Sequence, residues 1–367
     1  MTGAPTWRLI DTGLRCAAEN IAINKAMLEA RAANEIPNTL RFLQFTPCAL
    51  LGFHQSVEQE LRADYCAAHD IPIQRRVSGG GALYCDATQI GWELYLDRKT
   101  VGTGDMMAIA SRICQTIAQG VRALGVDAQF RPRNDIEVNG KKIAGTGGVF
   151  DGNAILYHGT LLVDFDVAQM LRVLRIPAEK LSDKAIASAR ERVANLKDLL
   201  GAAPSLNQVK ASLAHACAQD FGIEFEEVTG LSTQEQVRFD EALCEIDTPE
   251  WVYQHNRPLS ETPFLEGIHK SAGGLVRAAV TLDVAKGRIK QVWFTGDFFV
   301  NPRRCVADLE AVLRDTARAD ASRIINTFFA QHPADMVLLT PADFIAAINL
   351  ALDGATVATL KQVSARQ

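Results

Sequence analysis

Positive charge does not dominate this chain of 367 residues, in which 38 Lys and Arg face 43 Asp and Glu for a net charge of −5. A general nucleic-acid binder displaces counterions with an excess of cations, so the balance argues against that class and leaves room only for a local basic patch. Long apolar runs are missing as well. No stretch approaches the ~18 apolar residues of a membrane span, and Met1-Thr2-Gly3-Ala4-Pro5 has neither the charged segment nor the apolar run of a secretory signal. The expectation is a soluble, cytoplasmic protein that engages no nucleic acid and no membrane. The eight cysteines include no C-x-x-C and no Cys/His cluster at zinc spacing, which argues against a zinc module or a disulfide scaffold. They read as small buried hydrophobes in a reducing compartment. There is also no internal repeat, hence no solenoid.

What is present is a globular composition, 48% hydrophobic and 22% charged, at a length that accommodates two unequal domains of roughly 100–200 residues or more. A helix is expected from Leu14 to about Ala33, then strands at Leu40–Phe45 and Leu50–Phe53 and a polar helix over Glu58–Ala68. Asp105 caps a helix whose apolar stripe runs Met106, Ile109, Ile113, Ile117, Val121 and Leu124, with Gly125 as its stop. Gln129–Val138 reads as extended, and Asn139-Gly140 is the type I′ hairpin signal, since both central residues need positive φ. Lys141–Gly145 should therefore pair back, and a turn at Asp151-Gly152-Asn153 should lead into a third antiparallel strand, Ala154–Phe165. Helices are expected over Ala178–Leu200, Leu206–Asp220 and Ser232–Ile246, the last with the capping box Ser232-x-x-Glu235. A second hairpin, Leu275–Val284 with Arg288–Phe294, and helices at Val306–Arg318, Ser322–Ala330 and Pro341–Leu352 close the chain. This is an α+β pattern, with a large domain over residues 1–247 and a small one over residues 255–367.

Chemistry concentrates in four segments. Arg75-Arg76-Val77-Ser78-Gly79-Gly80-Gly81-Ala82-Leu83-Tyr84-Cys85-Asp86 holds three consecutive glycines. Without β-carbons their N–H groups can approach a phosphate or carboxylate, and two arginines supply countercharge. It is not a Walker loop, since no Gly-Lys-Ser/Thr follows, nor a dinucleotide fingerprint, since no helix opens there. Asn134-Asp135 precedes the hairpin, and Lys142-Ile143-Ala144-Gly145-Thr146 follows it. Small residues continuing a strand weaken it but permit close approach of a ligand. His158-Gly159-Thr160 lies on the next strand. Lys184, Ser188 and Arg192 belong to a cation-rich segment that reads either as a solvated helix face or as a cover for an anion.

Taken in order, these segments resemble the lipoate–protein ligases of the biotin/lipoate ligase superfamily. The family pattern R-R-x-S-G-G-G-x-x-[YF]-x-D falls on Arg75 to Asp86, N-D-[IL] on Asn134 to Ile136, K-[IV]-x-G-[ST] on Lys142 to Thr146, and H-G-T on His158 to Thr160. K-x-x-x-S-x-x-x-R-V-x-N-L falls on Lys184 to Leu196, and Glu250-Trp251 resembles the close of the catalytic domain. The C-terminal hairpin and helices resemble the accessory domain of two-domain bacterial ligases.

The resemblance implies that lipoate, or octanoate, and MgATP form an acyl-adenylate, which then passes its acyl group to a lysine of an acceptor protein. That acceptor would be a 2-oxoacid dehydrogenase E2, an H protein or an H-like lipoate-binding protein. In this reading Lys142 neutralises the reacting oxygens, the glycine loop with Arg75, Arg76 and Ser78 cradles the adenylate, and Asp135 holds Mg²⁺. Leu83, Tyr84 and Ile143 help to line an apolar acyl tunnel.

Three departures qualify the match. Cys85 stands where histidine is common, Asn24 replaces an acid of the first helix, and Gly147-Gly148-Val149-Phe150 replaces a more polar run. A divergent subgroup of such ligases serves lipoate-binding proteins of sulfur oxidation, and the sequence leaves that assignment open. Two rivals also stand: an octanoyltransferase or lipoyl amidotransferase that works through a thioester without ATP, for which Cys85 is the one motif cysteine, and a lipoate-binding homologue without catalysis.

Overall fold

Asn139 and Gly140 adopt φ of +51° and +75°, as a type I′ turn requires, and the chain reverses there into the expected meander. The computed structural model describes residues 4–102, 105–132, 134–175, 191–257 and 264–364. They divide into two compact units, one of residues 1–51, 57–78 and 82–254 and the other of residues 52–56, 79–81 and 255–367.

The strands of the first unit are β1 (Thr6–Arg15), β2 (Thr39–Phe45), β3 (Cys48–Leu51), β4 (Ile73–Arg75), β5 (Leu83–Cys85), β6 (Gln89–Asp97), β7 (Gln129–Arg131), β8 (Asp135–Val138), β9 (Lys141–Asp151), β10 (Ala154–Leu162) and β11 (Glu224–Val228). Eight of them form one mixed sheet in the order β11-β1-β2-β6-β10-β9-β8-β7, and β4-β3-β5 form a small one. β1 runs parallel to both of its neighbours, while β6, β8, β9 and β10 pair antiparallel. The helix Ala17–Ala32 packs on β6 and β10, and the helix Met106–Ala123, capped by Asp105, packs on β7, β8 and β9.

Several elements differ from expectation. Leu14 and Arg15 end β1 rather than opening the first helix, and Leu14 is exposed, because the chain pairs with Gln44 and Phe45 before turning helical at Ala17. The region Gln129–Val138 is itself a hairpin of β7 and β8. Residues 191–195 are not helical: Val193 bridges Lys142 in parallel. Thr248-Pro249, which the sequence suggests as part of a connection, instead caps and opens a short helix, Pro249–Tyr253.

In the second unit the strands Leu265–Ser271, Gly274–Asp283, Arg288–Asp297 and Thr316–Ala317 make an antiparallel sheet. Phe294, Phe298, Leu309, Ile325 and Phe344 form its core with the helices Arg304–Leu313, Ala321–Gln331 and Pro341–Ser364. Among the described residues no helix is long and apolar enough to cross a membrane.

Candidate active site

The site is built on a fault in the sheet. Asp135 lies opposite Gly145 and Glu137 opposite Lys142, so β9 carries one more residue than β8 between those pairs. Such a bulge re-aims a side chain. Here it brings Lys142 Nζ to 2.6 Å from Asp135 Oδ1. Gly145 provides the space, since a β-carbon there would lie 2.8 Å from Nζ and 2.9 Å from Cε of Lys142. β10 pairs with β9 only from Ala144 onward, and residues 192–194 take its place beside Lys142. The Lys142 N–H donates to the Arg192 carbonyl at 2.8 Å, and the Ala194 N–H donates to the Lys142 carbonyl at 2.8 Å. With its side chain 38% exposed, the ammonium is anchored yet reachable.

Asn134 and Thr146 are tied three times. The Thr146 N–H and its hydroxyl both donate to the Asn134 carbonyl at 2.9 Å, and the Asn134 amide donates to the Thr146 carbonyl at 2.6 Å. Strand alternation puts Thr146 on the face opposite Gly145. There its Oγ1 lies 2.7 Å from the Tyr157 hydroxyl and 3.5 Å from Cys114 Sγ. Thr146, expected among adenylate-binding residues, therefore braces the sheet from behind. Tyr157 and Cys114 were not singled out from the sequence because each sits at an apolar position of a periodic pattern, where a polar tip leaves no trace.

His158 and Thr160 lie opposite Gly147 and Gly145, on the Lys142 face. His158 Nε2 is 2.7 Å from Ser78 Oγ. Burial, then the neighbouring Arg76 cation, push its pKa down to about 3, so the imidazole is neutral. On the same face, opposite His158, Glu93 accepts hydrogen bonds from Asn24 at 2.6 Å, Arg41 at 2.9 Å and the Tyr95 hydroxyl at 2.6 Å. This explains Asn24: an amide can donate to Glu93, whereas a carboxylate would repel it.

The two arginines part company. Arg75 is fully buried, its Nε donating to the carbonyls of Trp251 and Val252, both at 3.1 Å, while Trp251 Nε1 donates to the Arg75 carbonyl at 3.0 Å. Burial, and then Arg76, lower its pKa to about 9. Arg75 is a strut to the Pro249–Tyr253 helix, engaged with main chain rather than presented to a ligand. Arg76, whose charge acts on His158, keeps the binding role open. Gly79, Gly80 and Gly81 group with the second unit, where the Gly80 N–H donates to the Phe298 carbonyl at 3.1 Å and a β-carbon on Gly79 would lie 2.2 Å from that oxygen. Close main-chain packing thus requires glycine there.

Ala82 and Leu83 are half-buried, and Tyr84 is buried, its hydroxyl pushed up to about 12 by burial and then by Asp86. Cys85 lies opposite Cys48 in the β3–β5 pair, 1% exposed, in an apolar cluster with Ala17, Leu43, Phe45 and Leu50. Ile143 is fully buried. Gly159 is dictated by packing, a β-carbon there falling 2.4 Å from the Trp92 ring. Arg192 meets Lys142 through its carbonyl. Lys184 and Ser188, with Arg133, lie outside the described residues.

A mixed sheet that holds an ammonium over a glycine strand, with a Ser–His pair on the same face, defines a scaffold suited to a reacting carboxyl or phosphoryl group. The lipoyl protein ligase A/B catalytic-domain model matches residues 16–218, and the chain belongs to that family. Octanoyltransferase LipM of Kyrpidia tusciae is 28% identical over 273 residues, covering 68% of this chain and 99% of that protein. A bi-partite lipoate protein ligase of Thermoplasma acidophilum, described with its E2 lipoyl domain, superposes with a TM-score of 0.60 at 28% identity, covering 70% of this chain and 99% of that one. A lipoate–protein ligase A bound with ATP gives 0.57 at 25% identity, covering 68% of this chain and 98% of that one. The proteins this chain resembles thus include both ligases and an octanoyltransferase, and one of the ligases is bound with ATP.

Proposed function

We propose that this chain is an ATP-dependent lipoate–protein ligase. The observation that carries the reading is the Lys142 ammonium, fixed by Asp135 over Gly145 and still open on one side. A carboxylate is a poor electrophile until its oxygen becomes a leaving group. In the first step the lipoate or octanoate carboxylate attacks the α-phosphorus of ATP, the bond to the β-phosphate breaks, and pyrophosphate leaves. Lys142 offsets the charge that collects on the carboxylate and phosphoryl oxygens. In the second step the neutral ε-amine of an acceptor lysine attacks the acyl carbon, AMP departs with the bonding pair, and the amine loses its proton. The same ammonium then steadies the oxyanion. Ser78, held by neutral His158, and Arg76 would orient the anionic group.

Among the described residues no cluster of three metal-ligating side chains exists. Mg²⁺ would be held by a single carboxylate, Asp135, which also faces the Lys142 ammonium, together with nucleotide phosphates and water. Bound there, it would neutralise the departing pyrophosphate.

The location of the cysteines favours the ligase over a thioester route. Cys85 sits in an apolar cluster, and Cys114 lies behind the sheet with its thiol pushed up to about 11 by burial. A nucleophilic cysteine needs exposure and a stabilised thiolate, and neither residue has both. The acceptor is read as a lipoyl-domain protein, with E2, H protein and H-like lipoate-binding proteins as the candidates to be offered. The deciding experiment is lipoate-dependent exchange of labelled pyrophosphate into ATP, with octanoate and biotin as comparisons. Exchange that is lost in Lys142→Ala is expected. No exchange with any acid, together with acyl transfer from octanoyl-carrier protein in the absence of ATP, would replace the ligase with the octanoyltransferase.

A further inference from the structure

We propose that Tyr157 is a positioning residue for Lys142, acting through Thr146 from the far face of the sheet. This rests on the reading of Lys142 given above. The inference starts from donor and acceptor bookkeeping. The Thr146 hydroxyl has one hydrogen, and it goes to the Asn134 carbonyl, which can only accept. With that hydrogen on the Asn134 carbonyl, the 2.7 Å contact between Thr146 Oγ1 and the Tyr157 oxygen is a donation from the phenol. The Tyr157 oxygen is left with lone pairs, and Cys114 Sγ lies 3.4 Å away. The network runs from Cys114 and Tyr157 to the Thr146 hydroxyl and on to the carbonyl of Asn134. Burial holds both of its acidic members protonated, raising Tyr157 well above the usual phenol range and Cys114 to about 11.

Its end point is next to the chemistry. Asn134 precedes Asp135, whose carboxylate is 2.6 Å from Lys142 Nζ. Asp135 opens β8, paired with Arg131 of β7 on one side and with Gly145, beside the bulge, on the other. The Asn134–Thr146 ties add a restraint at the preceding residue, and Tyr157 fixes the rotamer of Thr146 on which the hydroxyl tie turns. Tyr157 is 1% exposed and Cys114 is 0% exposed, so solvent does not offer an alternative partner. Neither residue touches the Lys142 side chain. Their effect passes through the sheet, as a support behind a reacting group does.

The test is Tyr157→Phe, which deletes the hydroxyl and keeps the ring. Two readouts are taken on the full chain: pyrophosphate-exchange kinetics, and the rate at which acetic anhydride acylates Lys142, read by mass spectrometry. The second does not require the protein to be a ligase, so failure of that reading, seen as no exchange in the unmodified protein, is distinguishable from failure of this one. The expected result is a kcat about tenfold lower with KM for lipoate unchanged, and a Lys142 acylation rate raised several-fold. Thr146→Ser, which keeps the hydroxyl, should behave as the unmodified protein, and Thr146→Val as Tyr157→Phe. This pair carries the test if Tyr157→Phe does not fold. An unchanged Lys142 acylation rate in a folded Tyr157→Phe or Thr146→Val protein would overturn the proposal.

Discussion

Gly145 is the residue whose missing side chain makes room for Lys142: the ammonium and its adjoining carbon lie only 2.8 and 2.9 Å from where a β-carbon would stand. The obstructed group is the far end of a flexible side chain, so an added methyl displaces it without breaking the sheet.

Gly145→Ala should accordingly melt within a few degrees of the unmodified protein while its rate of pyrophosphate exchange falls tenfold or more. Alanine is no worse than glycine in a strand, so stability has no reason to drop sharply. Calorimetry beside exchange kinetics checks this. A variant with full activity would show that Lys142 does not need its position against Asp135.

Arg75 and Lys142 should fail in opposite ways. Lys142→Ala removes a partly exposed ion pair, costing within about 1 kcal/mol of stability, but should abolish exchange. Arg75→Ala strips the Trp251 and Val252 carbonyls of their donor and leaves a cavity, costing about 3 kcal/mol. Urea titration of both proteins separates the roles. An Arg75→Ala protein of native stability without activity would return Arg75 to the ligand.

Cys85→Ala decides between the acyl routes. The side chain packs among Ala17, Leu43, Phe45, Cys48 and Leu50, so the substitution should cost about 1 kcal/mol and leave ATP-dependent lipoylation within twofold. Loss of all acyl transfer from a folded protein would mark Cys85 as the nucleophile.

His158 predicts the acid side of the stability curve. Its folded pKa of about 3 lies below the ordinary value of 6.5, so between those values the unfolded chain binds more protons than the folded one. Stability therefore falls as pH drops through 6.5 toward 3, and this residue contributes a loss of about 1 kcal/mol between pH 7 and pH 5.5. Urea unfolding at both values, on the protein and on His158→Asn, measures it. Equal pH dependence in the two proteins would remove His158 as the source.

The hairpin at Asn139-Gly140, the Asp105 cap and the Ser232 capping box were legible because each is a local rule in which a residue type meets a backbone need within a few positions. β1 and β11 were not. β11 reads Glu-Phe-Glu-Glu-Val and has exposed charge at three of its five positions, since an edge strand buries little and carries no strong apolar signal. The segment 191–195 was taken as helix from its composition, but the open edge of β9 beside Lys142 offered it a strand's hydrogen bonds instead.

By itself the sequence determined the α+β pattern and the order of the motif segments that carry Lys142, Asp135, Ser78 and His158. Those are properties of spacing and chemistry, which survive without coordinates. Only the tertiary structure decided which of them face one another. Arg75 and Arg76 are adjacent and chemically alike, yet one is sealed against the Trp251 and Val252 carbonyls and the other lies beside His158. Gly145 and Thr146 are adjacent too, and one opens space for Lys142 while the other reaches back to Tyr157. The physical reason is the same in both cases. Successive residues of an extended chain point in opposite directions, and a bulge shifts that alternation by one, so direction depends on long-range register that no local pattern encodes.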